Sequence, residues 1–509
     1  MIISLSVLVI TIIVSGTYAL YKAQLSKNIG VNTTTHGLAY YINYVKGTDI
    51  TAATLNPSTS YEGGASSDIE FWKKDDSYDI YGKIELTVNT IGTNLSNSPA
   101  LKYAVVNNGN VLKEGSLKGT TSGSKVTILK NLYLEQTKQI YTVYVWLDNS
   151  EELGNISNES LSISVDCTAS LQKEPAADTI ISLYTSAAKV TATNNSITYN
   201  TAPSVSLMND RLGGTTTSLD GGNIRYYGAS PNNYIYFNCS DYSNQTSSTC
   251  ETWRIIGVFD GKLKLIRGSQ IGTYSWDNKN ISTGAEDDRG KNDWTTARLM
   301  KLLNPDDYYI NDNNDKDSEG NYLGYSLYYN SASGMCFTDE SVNYSACDFT
   351  STGIKNDETR NMIAETTYNL GGWNDTGVYP NEIYEYERGT TVYTGRPTTW
   401  TGKIALAYPS DYGYAADLNQ CKQTLANYDN STCTSNNWMK AIITDNGSNH
   451  GWLLTPDSSY SFGAWYSHGN VGEYFTGAAR GAVPVLSLSS KLGIESGDGS
   501  SSNPYKLSA

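Results

Sequence analysis

The stretch TWRIIGVFDGKLKLIR (residues 252–267) decides the reading of the fold. Two apolar runs flank Asp260-Gly261, a pair that tolerates positive φ at both central positions of a tight turn, so the stretch predicts a β-hairpin. Downstream, NDWTTARLMKLLNP (residues 292–305) changes period. Asn292 or Asp293 can cap a helix there, Leu299, Leu302 and Leu303 form its apolar side, and Pro305 ends it. KIALAYPSDYGYA (residues 403–415) predicts another strand and turn, residues 437–444 a short helix, and residues 451–489 several short strands broken by Gly and Ser turns. Short helices mixed with antiparallel strands make residues 223–509 an α+β domain.

Upstream, alternating runs at residues 83–89, 100–106, 125–129, 140–147 and 161–167 are separated by turn residues and predict an all-β sandwich over residues 21–167. Asn108-Gly109 is a second hairpin turn. In the 140–146 run both faces are apolar, which places that strand centrally. TASLQKEPAA (residues 168–177) lacks an apolar period and carries Pro175, so residues 168–222 read as a linker holding one short helix after Asp178 and an irregular, polar tract.

Residues 2–14 are apolar apart from Ser4, Ser6 and Thr11, a length that suits a signal-peptide core and is short for a bilayer span. Residues 1–20 are therefore expected to be a signal peptide, cleaved after Ala19, or an uncleaved membrane anchor. Six of the seven cysteines agree with an exported, extracellular protein, secreted or held at the cell surface, because they fall in three close pairs: Cys239/Cys250, Cys336/Cys347 and Cys421/Cys433. Disulfides closing loops of this size stabilise by about 3 kcal/mol each. Cys-x-x-Cys spacing and His-x-x-x-His arrangements are absent, which argues against structural zinc. Cys167 is left over as a buried thiol, an intermolecular bond or a non-local pairing. A net charge of −15 disfavours nucleic acid and anionic membrane surfaces as partners, leaving membrane contact to the N-terminal segment alone. The 40 Tyr against 7 Phe, with abundant Asn, Ser, Thr and Gly, fit hydrated β-rich surfaces.

SGTYALYKAQLSKN (residues 15–28), followed by a strand-rich domain, resembles the export signal and jelly-roll domain of camelysin and TasA-type bacterial surface proteins. Residues 223–489 resemble a bacterial domain of unknown function related to the C-type lectin fold and, distantly, to formylglycine-generating enzymes. The Trp-Arg-Ile-Ile strand at Trp253, the Trp-Leu-Leu-Thr-Pro turn at Trp452, the Pro-Val-Leu strand at Pro484 and the trailing GDGSSSNPYKL (residues 497–507) carry that likeness. Relatives place an arginine before the closing strand; here that position lacks it, and Arg480 stands three residues before Val483. The resemblance implies a ligand-displaying scaffold on a disulfide-tied core, the fold alone establishing no function.

Trp465, Tyr466, His468, Asn470 and Tyr474 bring aromatic faces and hydrogen-bonding groups together near the C-terminus, a mix suited to glycan or protein contacts. Strand alternation also admits core packing for Trp465 and Trp452. Asp315, Asp317 and Glu319 alternate as calcium-loop oxygens do, although the twelfth position is Ser326, so a solvated acidic loop is the alternative. No cofactor is otherwise expected. Catalytic motifs are missing: there is no Gly-x-Ser-x-Gly elbow, phosphate loop or His-Glu-x-x-His. Cys421 and Cys433 look like a loop closure rather than the reactive pair of formylglycine-generating enzymes. Asp411 and Glu473 stand as guesses for a glycosidase acid pair. The expectation is a non-enzymatic binding or adhesion protein. The alternatives are a structural matrix or fibre subunit, and an enzyme of formylglycine-generating or glycoside-hydrolase type.

Overall fold

The computed structural model describes residues 23–24, 41–51, 55–156, 159–211, 222–278, 284–285, 289–305, 327–330, 334–336, 345–447 and 449–508. The chain forms two compact units, residues 1–174 and 175–509, and both are dominated by β-sheet.

The first unit is a sandwich of two sheets. One runs in the order Ala23–Gln24, Leu161–Ser170, Tyr81–Ile91, Lys125–Tyr133, with Ile50–Thr51 also on Leu161–Ser170. The other runs Ile42–Val45, Ala65–Lys73, Ile140–Asp148, Leu101–Asn107, Asn110–Ser116. Alternation explains the layers: Ile84, Leu86 and Val88 from one sheet meet Ile69, Phe71, Val143 and Val145 from the other in a single core. The Ile140–Asp148 strand lies between two neighbours, as its apolar faces required. Asn108 and Gly109 adopt φ of 49° and 77° and close the expected hairpin, with Asn107 opposite Asn110. Cys167 is a free, buried thiol in this core, and burial, then Asp166 and Glu85, raises its pKa far above the ordinary thiol value.

The second unit begins at Pro175, and here the expected linker is corrected. Residues 168–170 finish the last strand of the sandwich. Helix Ala176–Ser186 buries Ile180 and Tyr184 in the second core. Strands Val190–Asn194, Ile197–Ala202 and Leu207–Asn209 then open a nine-stranded sheet. It continues through Ile224–Tyr226, the hairpin Glu251–Phe259 and Lys262–Arg267, and Val485–Ser487, to Ile404–Ala405; Tyr234–Phe237 also pairs with Glu251–Phe259.

A second sheet has five strands in the order Thr273–Ser275, Ala479–Gly481, Gly451–Pro456, Gly463–Ser467, Val471–Phe475. Helix Arg298–Leu303 is shorter than its pattern, because Asp293 accepts from Thr295 in a turn of its own and Asn292 donates to the carbonyls of Asp457 and Tyr460. PSDYGY (Pro409–Tyr414) is a helix rather than a turn, started by Pro409 and by Asp411 accepting from the Tyr408 amide.

Disulfides join Cys239 to Cys250 and Cys421 to Cys433, with Cα atoms 3.8 and 4.6 Å apart. Strands Gly334–Cys336 and Ser345–Cys347 pair antiparallel, and the Cys336 and Cys347 side chains lie outside the described residues, as do the apolar leader and the acidic Asp315, Asp317 and Glu319. Among the described residues no helix is long and apolar enough to cross a membrane.

Candidate functional site

The five-stranded sheet collects the aromatic and imidazole groups. Gly451 pairs with Ser467, which puts His450 beside His468, and Trp452 pairs with Tyr466. The ring centroids of His450 and His468 are 4.7 Å apart, those of His450 and Tyr466 5.3 Å, and those of Tyr466 and His468 5.6 Å, all at shallow interplanar angles. Tyr474 meets Tyr466 edge-on at 6.2 Å. Gly472 stands opposite Tyr466, and a Cβ there would come within 3.0 Å of the ring, so the missing side chain makes room for it. From Ala479–Gly481, two strands away from that of Tyr466, the Arg480 guanidinium lies 4.6 Å from the Tyr474 centroid and 5.0 Å from that of Tyr466.

His468 and Tyr474 are exposed, and Tyr466, His450 and Arg480 are half-buried. Two polar atoms in this group are buried without a hydrogen-bond partner, His450 Nδ1 and Arg480 Nε. Burial, followed by Arg480 and His468, holds the His450 imidazole below its ordinary pKa. It is therefore neutral at neutral pH, with one ring nitrogen free to accept. Arg480 makes no ion pair among the described residues.

Two of the residues expected here belong elsewhere. Trp465 is fully buried, its indole nitrogen donating to the Trp373 carbonyl at 3.1 Å, because one residue along a strand reverses the face. Asn470 is half-buried and donates to the Ala426 carbonyl at 3.2 Å, fastening a turn. Trp452 is likewise core, donating to the Tyr274 carbonyl. His450 and Arg480 were not foreseen as members. The signal that finds them is register: once Gly451 and Ser467 are read as paired, His450 must face His468.

On the opposite face Glu473 pairs with Trp465. Desolvation, then Asp457 and Asp375, pushes the Glu473 carboxyl up to about 8. Asp457 is wholly buried and accepts from the Tyr460 amide at 2.8 Å. Asp411 is not Glu473's partner. It is 1% exposed and bound by Arg225, with Nη1 to Oδ1 at 2.8 Å, and by Lys264, so the guessed acid pair is not assembled. Among the described residues no three His, Cys, Asp or Glu side chains gather as metal ligands would.

No family model matches the chain, and no curated protein matches it. Among solved structures, crystal structures of two mutants of a protein called HCR/D align over 50% of this chain and 75% of theirs, at 12% identity and a TM-score of 0.16. That likeness is too slight to carry a fold or a function.

Proposed function

We propose that this chain is a non-enzymatic secreted or cell-surface recognition protein. In this reading the C-terminal unit is a C-type-lectin-like domain that binds a glycan, and the N-terminal unit is a jelly-roll-like stalk behind an export signal or anchor. The binding surface is Tyr466, His468 and Tyr474, extended by His450 and Arg480. The observation that supports it is a solvent-reaching bed of stacked rings containing two polar atoms without partners. Rings offer their faces to the C–H side of a sugar, while the polar groups of the exposed His468 and Tyr474 bond its hydroxyls. A protein ligand fits the same rings less well, since it needs a wider patch with an apolar core inside a polar rim.

Glycan-array binding by the full chain, compared with a His468→Ala, Tyr474→Ala double variant, tests this. Both side chains are exposed, so folding should be retained, and the variant should lose binding by about 10-fold or more. Unchanged glycan binding in the variant, or binding to proteins alone, rejects the glycan reading.

A further inference from the structure

A surface cavity of about 460 Å³ that shares no lining residue with that face is lined by Tyr234, Glu251, Thr252, Arg254, Arg267, Ser269 and Ile442 among others. Arg254 stands out chemically. The residue is 7% exposed and makes no ion pair among the described residues. Nε donates to Asn233 Oδ1 at 2.5 Å and Nη2 to the Pro231 carbonyl at 3.3 Å, while Nη1 has no protein acceptor among the described residues. Its Cζ lies 3.7 Å from the Tyr234 ring centroid and 4.9 Å from that of Trp438. Asn233 is itself fixed, donating to the Ile255 carbonyl at 2.8 Å. The cation is thus held rigidly, with one edge uncommitted.

Two other buried cations of this unit have counter-charges at hand. Arg225 has Asp210 and Asp411, and Lys264 has Asp411. Arg267, the second cation of the cavity, is bound through Nε to Glu251 at 3.0 Å and through Nη2 at 3.2 Å. Glu251 also accepts from the Trp253 indole, so it has little left for Arg254. The cavity keeps one net positive charge in a chain of net charge −15. Desolvation lowers the Arg254 pKa to about 10, still leaving it charged at neutral pH. A buried cation without a counter-charge is costly, and an anion entering the cavity would remove that cost.

We propose that this cavity is a second binding site, independent of the Tyr466 face, which takes an acidic sugar by pairing the sugar's carboxylate with Arg254. The exposed hydroxyls of Thr252 and Ser269 stand at the cavity for the sugar hydroxyls, and Ile442 gives an apolar wall for the ring. A carboxylate alone would use only the cation. The hydroxyls and the apolar wall favour a sugar over a simple anion.

Calorimetric titration of the full chain with glucuronate tests the assignment, with glucose, inorganic phosphate and a glutamate-rich peptide as comparisons. Saturable glucuronate binding is expected, with glucose, phosphate and the peptide each weaker by about 10-fold or more. Arg254→Met and Thr252→Glu should each weaken glucuronate by about 10- to 100-fold; the second changes an exposed residue and keeps the test open if the first does not fold. His468→Ala with Tyr474→Ala should leave this binding unchanged, which separates the two sites. The assignment is overturned by absent glucuronate binding, by glucose, phosphate or the peptide binding as well as glucuronate, by binding that survives both cavity variants, or by its loss in the His468/Tyr474 variant.

Discussion

At the scale of single residues, the second unit is organised around charges taken out of water. Arg225, Lys264, Asp210 and Asp411 are each less than 7% exposed and their formal charges cancel. Arg225 also lies 4.5 Å from the Phe259 centroid and 4.7 Å from that of Tyr414. Burial pushes Asp411 up, but Lys264 and Arg225 outweigh it and hold the carboxylate below its usual range. Removing one member strands the others, so Asp411→Asn should cost about 3–5 kcal/mol in chemical denaturation, and a loss below about 1 kcal/mol would contradict the network as drawn. Nearby Glu387 behaves oppositely. It is fully buried, accepts from the Ser410 amide at 2.9 Å, and desolvation pushes it up to about 7. Its folded pKa lies above the unfolded one, so the folded state holds a proton that the unfolded chain releases between pH of about 4.5 and 7. Stability from this group is present in full below that window and is lost as pH rises through it. Glu387→Gln should flatten that fall, with a ceiling of about 3 kcal/mol, measured as denaturation midpoints at pH 5 and pH 8. None of these pairings is legible in the sequence, because Arg225 and Asp411 are 186 residues apart and nothing local announces that they meet.

At the scale of elements, local chemistry was legible and long-range placement was not. Asp260 and Gly261 adopt φ of 48° and 70°, the mirror-image turn that the residue pair called for, and Phe259 opposes Lys262 as the hairpin requires. The same hairpin carries Arg254, Lys264 and Arg267, so its register positions both the ion network and the Arg254 cavity. Gly261→Val puts a β-branched residue at positive φ. It should lower stability by about 1–2 kcal/mol or more, read as a drop in the unfolding midpoint, while Gly261→Asn should be nearly neutral; equal losses for both would show that backbone strain is not the cause. By contrast, the sequence has no means of showing that Val485–Ser487 pairs with Lys262–Arg267 across more than two hundred residues. The candidate binding face fell between these cases. Tyr466, His468 and Tyr474 share a reachable face, but the strand that His450 precedes and the strand bearing Arg480 had to be put in register first. Trp465 was misplaced because a strand with aromatic residues on both faces does not declare which face is inside.

At the scale of the whole molecule, each unit holds a core of its own and the cysteines are divided between them. The free Cys167 belongs to the first core, and both described disulfides belong to the second unit. The boundary at residues 174 and 175 was blurred in the sequence because the first strands of the second unit are rich in Thr and Asn. Val190–Asn194 is an edge strand, with alternate side chains facing solvent, so its composition resembles that of a loop. Cysteine chemistry then gives a test at this scale. A buried thiol reacts only when its own core opens, so alkylation of Cys167 across a denaturant series reports on the first unit alone. The disulfides constrain only the unfolded form of the second unit, by about 3 kcal/mol each for loops of 11 and 12 residues. Replacing Cys421 and Cys433 together by Ala should therefore lower the unfolding midpoint of the second unit, followed by tryptophan fluorescence in a Trp72→Phe, Trp146→Phe background that leaves only the second unit's tryptophans. The Cys167 alkylation midpoint, read by peptide mass mapping, should stay where it is. If that midpoint moves down with the fluorescence, the two cores unfold as one, and stapling the C-terminal unit protects the entire chain rather than that unit alone.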